Sequence, residues 1–305
     1  MTSIPKFQLN TGTSIPAIGL GVWAGLKDEE RAVADEWIVP ALKAGTGYRH
    51  MDTAWLYGTE NAVGTAVRKS GIPREEIWIT TKLPWHHHSR VQESIQESLD
   101  NLGTDYVDLY LIHWPQAFAY DPNTPRKRGP LLEKPTFNEI WTEMEKVYAS
   151  GKAKAIGVSN FSVKTLEELL TTAKVVPAIN QVELHPYLVQ SDLKAYCDAK
   201  GIHLQAYTPT GYERVRQDPL IAQLAEKYKV TPAQIILSWH VGRGVSAVPR
   251  SHNSQRQQDN ITVSLPVLEE EDLTHITALD RNERICNKAD EHGYLNGWTY
   301  EQLGW

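Results

Sequence analysis

Long hydrophobic runs are missing from this chain. No stretch of about 18 consecutive apolar residues occurs in its 305 residues, so the sequence offers no helix that would cross a membrane. The opening Met1-Thr2-Ser3-Ile4-Pro5 has neither the charged region nor the apolar core of a secretory leader. Cysteine is nearly absent. Cys197 and Cys286 alone cannot build a disulfide framework, which sets the expectation of a reducing, cytoplasmic setting with both thiols free. An excess of positive charge is also lacking. The net charge is −6 and the pI about 6.0, which argues against a nucleic-acid partner, since that needs a basic face. No Ser/Gly linker, like-charge block or low-complexity tract interrupts the chain, so residues 1–305 read as one domain. Metal-ligand spacing is missing too. His86-His87-His88 is the tempting run, but adjacent side chains diverge and no Cys or carboxylate stands at ligand spacing. We read these three as surface histidines and expect no metal.

Apolar residues are not scarce overall. They make up 41% of the chain, enough for one sizeable core, and they fall in short stretches that end in a polar residue. The clearest are Tyr48 to Asp52, Ile77 to Lys82, Val107 to His113 and Ile156 to Asn160. Ile179 to Gln181, Ile202 to Tyr207 and Val245 to Arg250 follow the same rule, and a first strand lies near Ile18-Gly19-Leu20-Gly21. A strand that is apolar along its length is buried on both faces, as in a parallel sheet. Helical patterns alternate with these strands at 28–44, 60–70, 89–102, 136–150, 162–173, 190–200 and 231–242. Further helices are expected near 218–228, 253–260 and 269–278. Eight strand units fit a (β/α)8 barrel better than a doubly wound sheet. Residues 6–18 read as a hairpin outside the repeat, placed to plug the lower end of such a barrel. Residues 116–134, rich in Pro and Gly, read as a long loop over the active face, and 281–305 as a C-terminal loop.

In a barrel the carboxyl ends of the strands share one face, so Asp52, Lys82, His113, Asn160, Gln181, Tyr207 and Arg250 should converge. The chemistry of four groups is mutually consistent. A tyrosine with a pKa near 10 is a poor acid at neutral pH, and Tyr57 follows the strand that ends at Asp52. An ammonium such as Lys82 would lower that pKa by favouring the phenolate. A buried Lys82 would lose its proton unless a carboxylate, Asp52, held it charged. His113 could donate a hydrogen bond from a neutral imidazole to a substrate oxygen. Gly19-Leu20-Gly21-Val22-Trp23-Ala24 loosely fits a dinucleotide fingerprint, but no helix follows at once, and a Rossmann reading is poor.

These residues stand in stretches that resemble one family along the whole chain. The matching pieces are Gly19-Leu20-Gly21-Val22-Trp23, Asp52 to Gly58, Lys82, Leu111 to Pro115, Gly157 to Phe161, Asn180 to Tyr187, Ala206 to Gly211 and Val248 to Ser251. The chain resembles the aldo-keto reductases. The resemblance implies a (β/α)8 barrel, NADPH as cofactor, and a catalytic tetrad at Tyr57, Lys82, Asp52 and His113. It implies carbonyl reduction by hydride transfer with Tyr57 as proton donor. It places Ser159, Asn160 and Gln181 at the nicotinamide carboxamide, with Tyr207 stacked on the ring. Arg250, Ser251, Asn253 and Arg256 would surround the 2′-phosphate at a helix N-terminus, and Asp259 and Asn260 the adenine. Arg250 stands where the family usually has Lys, which keeps the charge and adds a fork. Thr208 and Thr210 replace the more usual Ser and Leu. The segment Gly211 to Gln217 would cover the pyrophosphate, with Arg214 or Arg216 in contact. Trp23, Trp85, Trp114 and Trp298 would wall the substrate pocket.

The expected partner is therefore a small carbonyl compound, including sugar-derived aldehydes. The alternatives are oxidation of an alcohol or polyol such as glycerol, and a cofactor-binding regulatory protein on the same scaffold. An intact tetrad favours an enzyme. No exposed heptad or apolar stripe suggests an oligomer, so a monomer is expected.

Overall fold

The computed structural model describes residues 5–42, 47–261 and 266–305. A hairpin comes first: β1 (Lys6–Gln8) pairs antiparallel with β2 (Ser14–Pro16). Then come β3 (Leu20–Gly21), α1 (Asp28–Ala32), α2 (Asp35–Leu42), β4 (His50–Asp52), α3 (Glu60–Ser70), β5 (Trp78–Leu83), α4 (Val91–Leu102) and β6 (Leu109–Ile112). A small hairpin of β7 (Ala117–Phe118) and β8 (Leu131–Leu132) precedes α5 (Phe137–Ala149) and β9 (Ile156–Ser159). The order continues with α6 (Val163–Leu170), β10 (Ile179–Glu183), α7 (Ser191–Lys200), β11 (His203–Tyr207), α8 (Tyr212–Arg216), α9 (Pro219–Tyr228), α10 (Pro232–Gly242) and β12 (Ser246–Ala247). It ends with α11 (Ser254–Ile261), α12 (Glu270–Thr277), β13 (Tyr294–Leu295), β14 (Trp298–Thr299) and α13 (Tyr300–Leu303).

Eight strands lie side by side in the order β3-β4-β5-β6-β9-β10-β11-β12, and every neighbouring pair is parallel. A parallel bridge between Ile18 and Ala247 joins the two edges. Gly19 N–H donates to the Ala247 carbonyl at 2.9 Å, and Ala247 N–H to that of Ala17 at 2.8 Å. The sheet thus curls into the expected (β/α)8 barrel. Gly21 is needed at this seam, because a Cβ there would come within 2.8 Å of the Val248 carbonyl oxygen.

Helices pack on the barrel because their apolar residues recur at helical spacing. In α4, Val91, Ile95, Leu99 and Leu102 are buried, and each contributes about 1.5–3 kcal/mol. Gly103 ends that helix in the left-handed region at φ 65°, the conformation glycine adopts without penalty. Thr136 and Thr231 cap α5 and α10, each accepting from the backbone three residues on. The N-terminal hairpin closes the lower end as expected: Leu9 and Ile15 pack with Trp78, Leu109 and Ile179, the first residues of three barrel strands or their neighbours. One expected helix is divided. The 28–44 segment forms α1 and α2, separated where Ala34 and Glu36 donate to carbonyls three residues back. Its expected end at Ala44 lies outside the described residues.

Candidate active site

Parallel strands end at one rim, and the rim collects the polar residues. Lys82, on β5, is fully buried. Its Nζ donates to Asp52 Oδ1 at 2.7 Å and to the Thr53 carbonyl at 2.8 Å. Asp52 Oδ2 accepts from Gln181 Nε2 at 2.6 Å, so both carboxylate oxygens are engaged. Tyr57 closes a single helical turn, Trp55–Tyr57, after β4, and Gly58 stops that turn at φ 66°. Lys82 Nζ lies 5.0 Å from the centre of the Tyr57 ring. His113 follows β6 and meets Tyr57 edge-on, ring centres 5.6 Å apart at 76°. The ring of Trp85 lies nearly parallel to that of His113 at 6.5 Å. The four residues of the expected tetrad are thus gathered within one cluster.

Electrostatics in the cluster follow from burial. Burial lowers the pKa of Lys82, and the Asp52 carboxylate opposes that. Burial, with the charge of Lys82 behind it, holds His113 well below the usual histidine value, so its imidazole is neutral at physiological pH. Tyr57 departs from expectation. Its pKa is raised well above 10, first by burial and then by the Asp52 carboxylate. The argument that Lys82 would lower it is corrected for a physical reason. Lys82 is paired with Asp52 at 2.7 Å, which leaves little net field to offset desolvation of a phenolate.

A cavity of about 930 Å³ opens beside the cluster. Asp52, Tyr57 and His113 line it, as do Ser159, Asn160, Gln181 and Tyr207; Lys82 sits behind that wall. These side chains are knitted together. Ser159 Oγ donates to the Gln181 carbonyl at 2.8 Å. Asn160, held at φ 66°, donates from Nδ2 to the His113 carbonyl at 2.9 Å and accepts at Oδ1 from the Tyr207 hydroxyl at 2.6 Å. Gln181 gives its second amide hydrogen to Gln205 Oε1 at 2.7 Å, so its own Oε1 remains for a ligand.

The far end of the cavity is cationic. Arg216, Arg250 and Arg256 line it with Ser251, His252, Asp259 and Asn260. Arg250 donates from Nε and Nη2 to His252 Nε2 at 3.1 and 2.9 Å, and its guanidinium lies 4.8 Å from the Trp23 ring centre. His252 stacks on Trp37 at 4.2 Å. Asn253 is not on the wall. It caps α11, its Oδ1 accepting from the Arg256 backbone N–H at 2.9 Å. Arg214 is not on the wall either: its Nη1 donates to Glu283 Oε1 at 2.6 Å.

Of the four tryptophans expected around the substrate, Trp23 and Trp114 line this cavity and Trp85 and Trp298 do not. Trp85 backs His113 instead. Trp298 is half-buried on β14 and packs against the main core. The sequence reading assigned no role to several wall residues, among them Thr231 and Pro232 at the start of α10 and Cys286 and Asn287 of the C-terminal segment. The buried Gln205 behind the wall was missed as well. The His86-His87-His88 run corrects another expectation, since all three are buried rather than on the surface. The 116–134 loop covers them: His86 Nε2 donates to the Pro125 carbonyl at 2.8 Å and its ring stacks on Tyr120. Burial holds His87 and His88 at about 3, so they are neutral and bury without a counter-ion. Arg126 and Arg128 of that loop are exposed, yet each lies over a ring, Trp55 at 5.3 Å and Phe118 at 4.8 Å. Among the described residues no group of three or more His, Cys, Asp or Glu is arranged to hold a metal ion, and no helix is long and apolar enough to cross a membrane.

Known proteins are similar to this chain in sequence and fold. The family model of the aldo/keto reductases matches residues 17–281. A glycerol 2-dehydrogenase (NADP(+)) of Saccharomyces cerevisiae is 42% identical over 268 residues, spanning 83% of this chain and 84% of the yeast protein. The aldehyde reductase YPR1 of the same yeast is 41% identical over 302 residues, 93% of this chain and 95% of its own. Among solved structures, a Bombyx mori aldo-keto reductase in complex with NADP superposes with a TM-score of 0.85 at 33% identity, covering 96% of this chain and 98% of that one.

Proposed function

This chain belongs to the aldo/keto reductase family, and from that premise we propose that it reduces small aldehydes to alcohols with NADPH, Tyr57 supplying the proton. The observation that carries the reading is the cluster at the cavity wall, a Tyr57 ring flanked by buried Lys82 and neutral His113. A cofactor of this chemistry fits the residues present. Its volume suits a cavity of about 930 Å³, near the large end of the roughly 300–1,000 Å³ typical of such sites. Arg216, Arg250 and Arg256 meet an anionic end. Tyr207 offers a flat face, and Gln181 Oε1 an acceptor, to the nicotinamide end.

When bound, NADPH supplies the hydride. The residues of the chain do the rest. His113 donates from its imidazole to the carbonyl oxygen and fixes its direction. Tyr57 then transfers its phenolic proton to that oxygen as negative charge builds there. Its raised pKa keeps the phenol protonated until a strongly basic alkoxide develops beside it to take the proton. The Lys82 ammonium, held by Asp52, stands 5.0 Å from the ring that becomes tyrosinate. Trp23 and Trp114 present apolar surface that favours a small substrate and thins out water. The same groups run in reverse for alcohol oxidation, and the similarity to a glycerol 2-dehydrogenase supports that direction as a second reading.

The test is NADPH oxidation by the purified protein with glyceraldehyde, xylose and a nitrobenzaldehyde, beside Tyr57→Phe. The variant should lose about 10²–10⁴-fold in kcat while binding NADPH as the wild type does. Binding without turnover on any aldehyde would instead favour the regulatory scaffold.

A further inference from the structure

Glu183 ends β10 beside Tyr207 of β11, its direct partner in the sheet register. Its carboxylate is fully buried, yet it is not part of the tetrad. Three consecutive backbone N–H groups of the C-terminal segment converge on it. Ile285 and Cys286 donate to Oε1 at 2.6 and 2.8 Å, and Asn287 to Oε2 at 3.1 Å. A carboxylate in such a nest is held by charge-assisted bonds and resists protonation. The residue so delivered is Asn287, whose Nδ2 donates to the Tyr207 hydroxyl oxygen. That hydroxyl in turn donates to Asn160 Oδ1 at 2.6 Å. Tyr207 is therefore fixed from two sides: by the barrel through Asn160, and by a segment 80 residues away in sequence through Asn287.

We propose that Glu183 and Asn287 are positioning residues that latch the C-terminal segment onto the rim and so set the ring plane of Tyr207 against the nicotinamide. The inference rests on the NADPH reading above. A phenol ring turns about its Cα–Cβ and Cβ–Cγ bonds, and one hydrogen bond at its tip leaves a range of tilts. Two opposed bonds at the same oxygen fix the tip, hence the face against which a flat ligand ring lies. Glu183 acts at one remove. With Gln in its place, Oε1 could still accept from Ile285 and Cys286, but an NH2 would face the Asn287 N–H, donor against donor. Glu183→Gln should thus release Asn287 selectively.

The experiment compares wild type, Asn287→Leu, Glu183→Gln and the double variant. It measures binding of NADPH by nicotinamide fluorescence, binding of 2′,5′-ADP by calorimetry, and hydride transfer in a single turnover. 2′,5′-ADP reaches only the cationic end, so its affinity should stay within about twofold of wild type in every variant, which also reports an intact fold. NADPH affinity or single-turnover rate should fall about tenfold in each single variant, the scale of one lost hydrogen bond to an oriented group. The double variant should lose no more than the worse single one, because the two residues act in series. Equal losses of NADPH and 2′,5′-ADP, unchanged hydride transfer and NADPH binding, or additive losses would overturn the inference. Failure of the wild type itself to bind NADPH would overturn the cofactor reading and this inference together.

Discussion

Replacing Asp52 by Asn tests the electrostatic core of the site by exchanging one carboxylate oxygen for an NH2 group. Asn keeps the shape and can still accept from Gln181, but it removes the charge opposite Lys82. The ammonium would keep only the Thr53 carbonyl at 2.8 Å, inside a site with no exposure. Breaking a buried pair in this way costs about 3–5 kcal/mol when the remaining charge stays. Lysine has an escape, because it can shed its proton. From about 10.4 to pH 7 is roughly 3.4 units at 1.36 kcal/mol each, which caps the cost near 4.6 kcal/mol. The neutral amine can then accept from the new Asn amide. The sign of the pH dependence follows. In the variant the folded state binds one proton fewer than the unfolded state at pH 7, so stability rises with pH. The slope is about 1.4 kcal/mol per unit up to the unfolded pKa near 10.4. In the wild type Asp52 raises the Lys82 pKa against burial, so the same slope starts at higher pH. Urea unfolding of both proteins at pH 7, 8 and 9 measures this. The gap between them should be several kcal/mol at pH 7 and should narrow as pH rises. A gap below about 1 kcal/mol, or one that stays constant from pH 7 to 9, would refute the claim that Lys82 is held charged by Asp52 alone.

The pH profile of aldehyde reduction tests Tyr57 and His113 together. His113 lies well below its usual value and Tyr57 well above, and on the proposed mechanism reduction uses neutral imidazole and protonated phenol. The rate constant for hydride transfer should therefore be flat between about pH 6.5 and 10, while alcohol oxidation, which needs the tyrosinate, should climb throughout. An acid limb centred near 6.5 would show that His113 titrates normally. Arg256→Ala removes one of the cations at the far end of the cavity. A charge-assisted hydrogen bond of about 2 kcal/mol predicts roughly thirtyfold weaker NADPH binding with NADH within about twofold, as read by fluorescence titration. Equal losses for the two nucleotides would place the 2′-phosphate elsewhere.

What the sequence revealed and what it hid divide along a physical line. Parallel strands buried on both faces leave contiguous apolar runs, and their polar ends mark the rim, so Asp52, Lys82, His113, Asn160, Gln181 and Tyr207 could be placed before any coordinates. Helices such as α4 were legible for the same reason, since burial repeats along one element. The latch was not legible. Glu183 binds backbone N–H groups about a hundred residues away, and any residue but proline there presents the same N–H, so Ile285, Cys286 and Asn287 leave no compositional trace. The buried histidines failed differently. Their environment is set by Tyr120 and Pro125, residues of a loop whose path over the 86–88 turn no periodicity encodes. The direction of the Tyr57 shift failed for a third reason. Counting charges favoured the phenolate, but the balance turns on desolvation, and desolvation depends on how completely the loops from β4, β6 and the C-terminal segment close around the ring. The parts hidden from sequence are therefore those made by segments outside the repeating units. Trp305 shows how far this reaches. Its ring lies 5.9 Å from that of Trp114 on the cavity wall and carries the half-buried Arg284 guanidinium at 3.5 Å. A change at Trp305 thus reaches the cavity wall through its ring contact with Trp114.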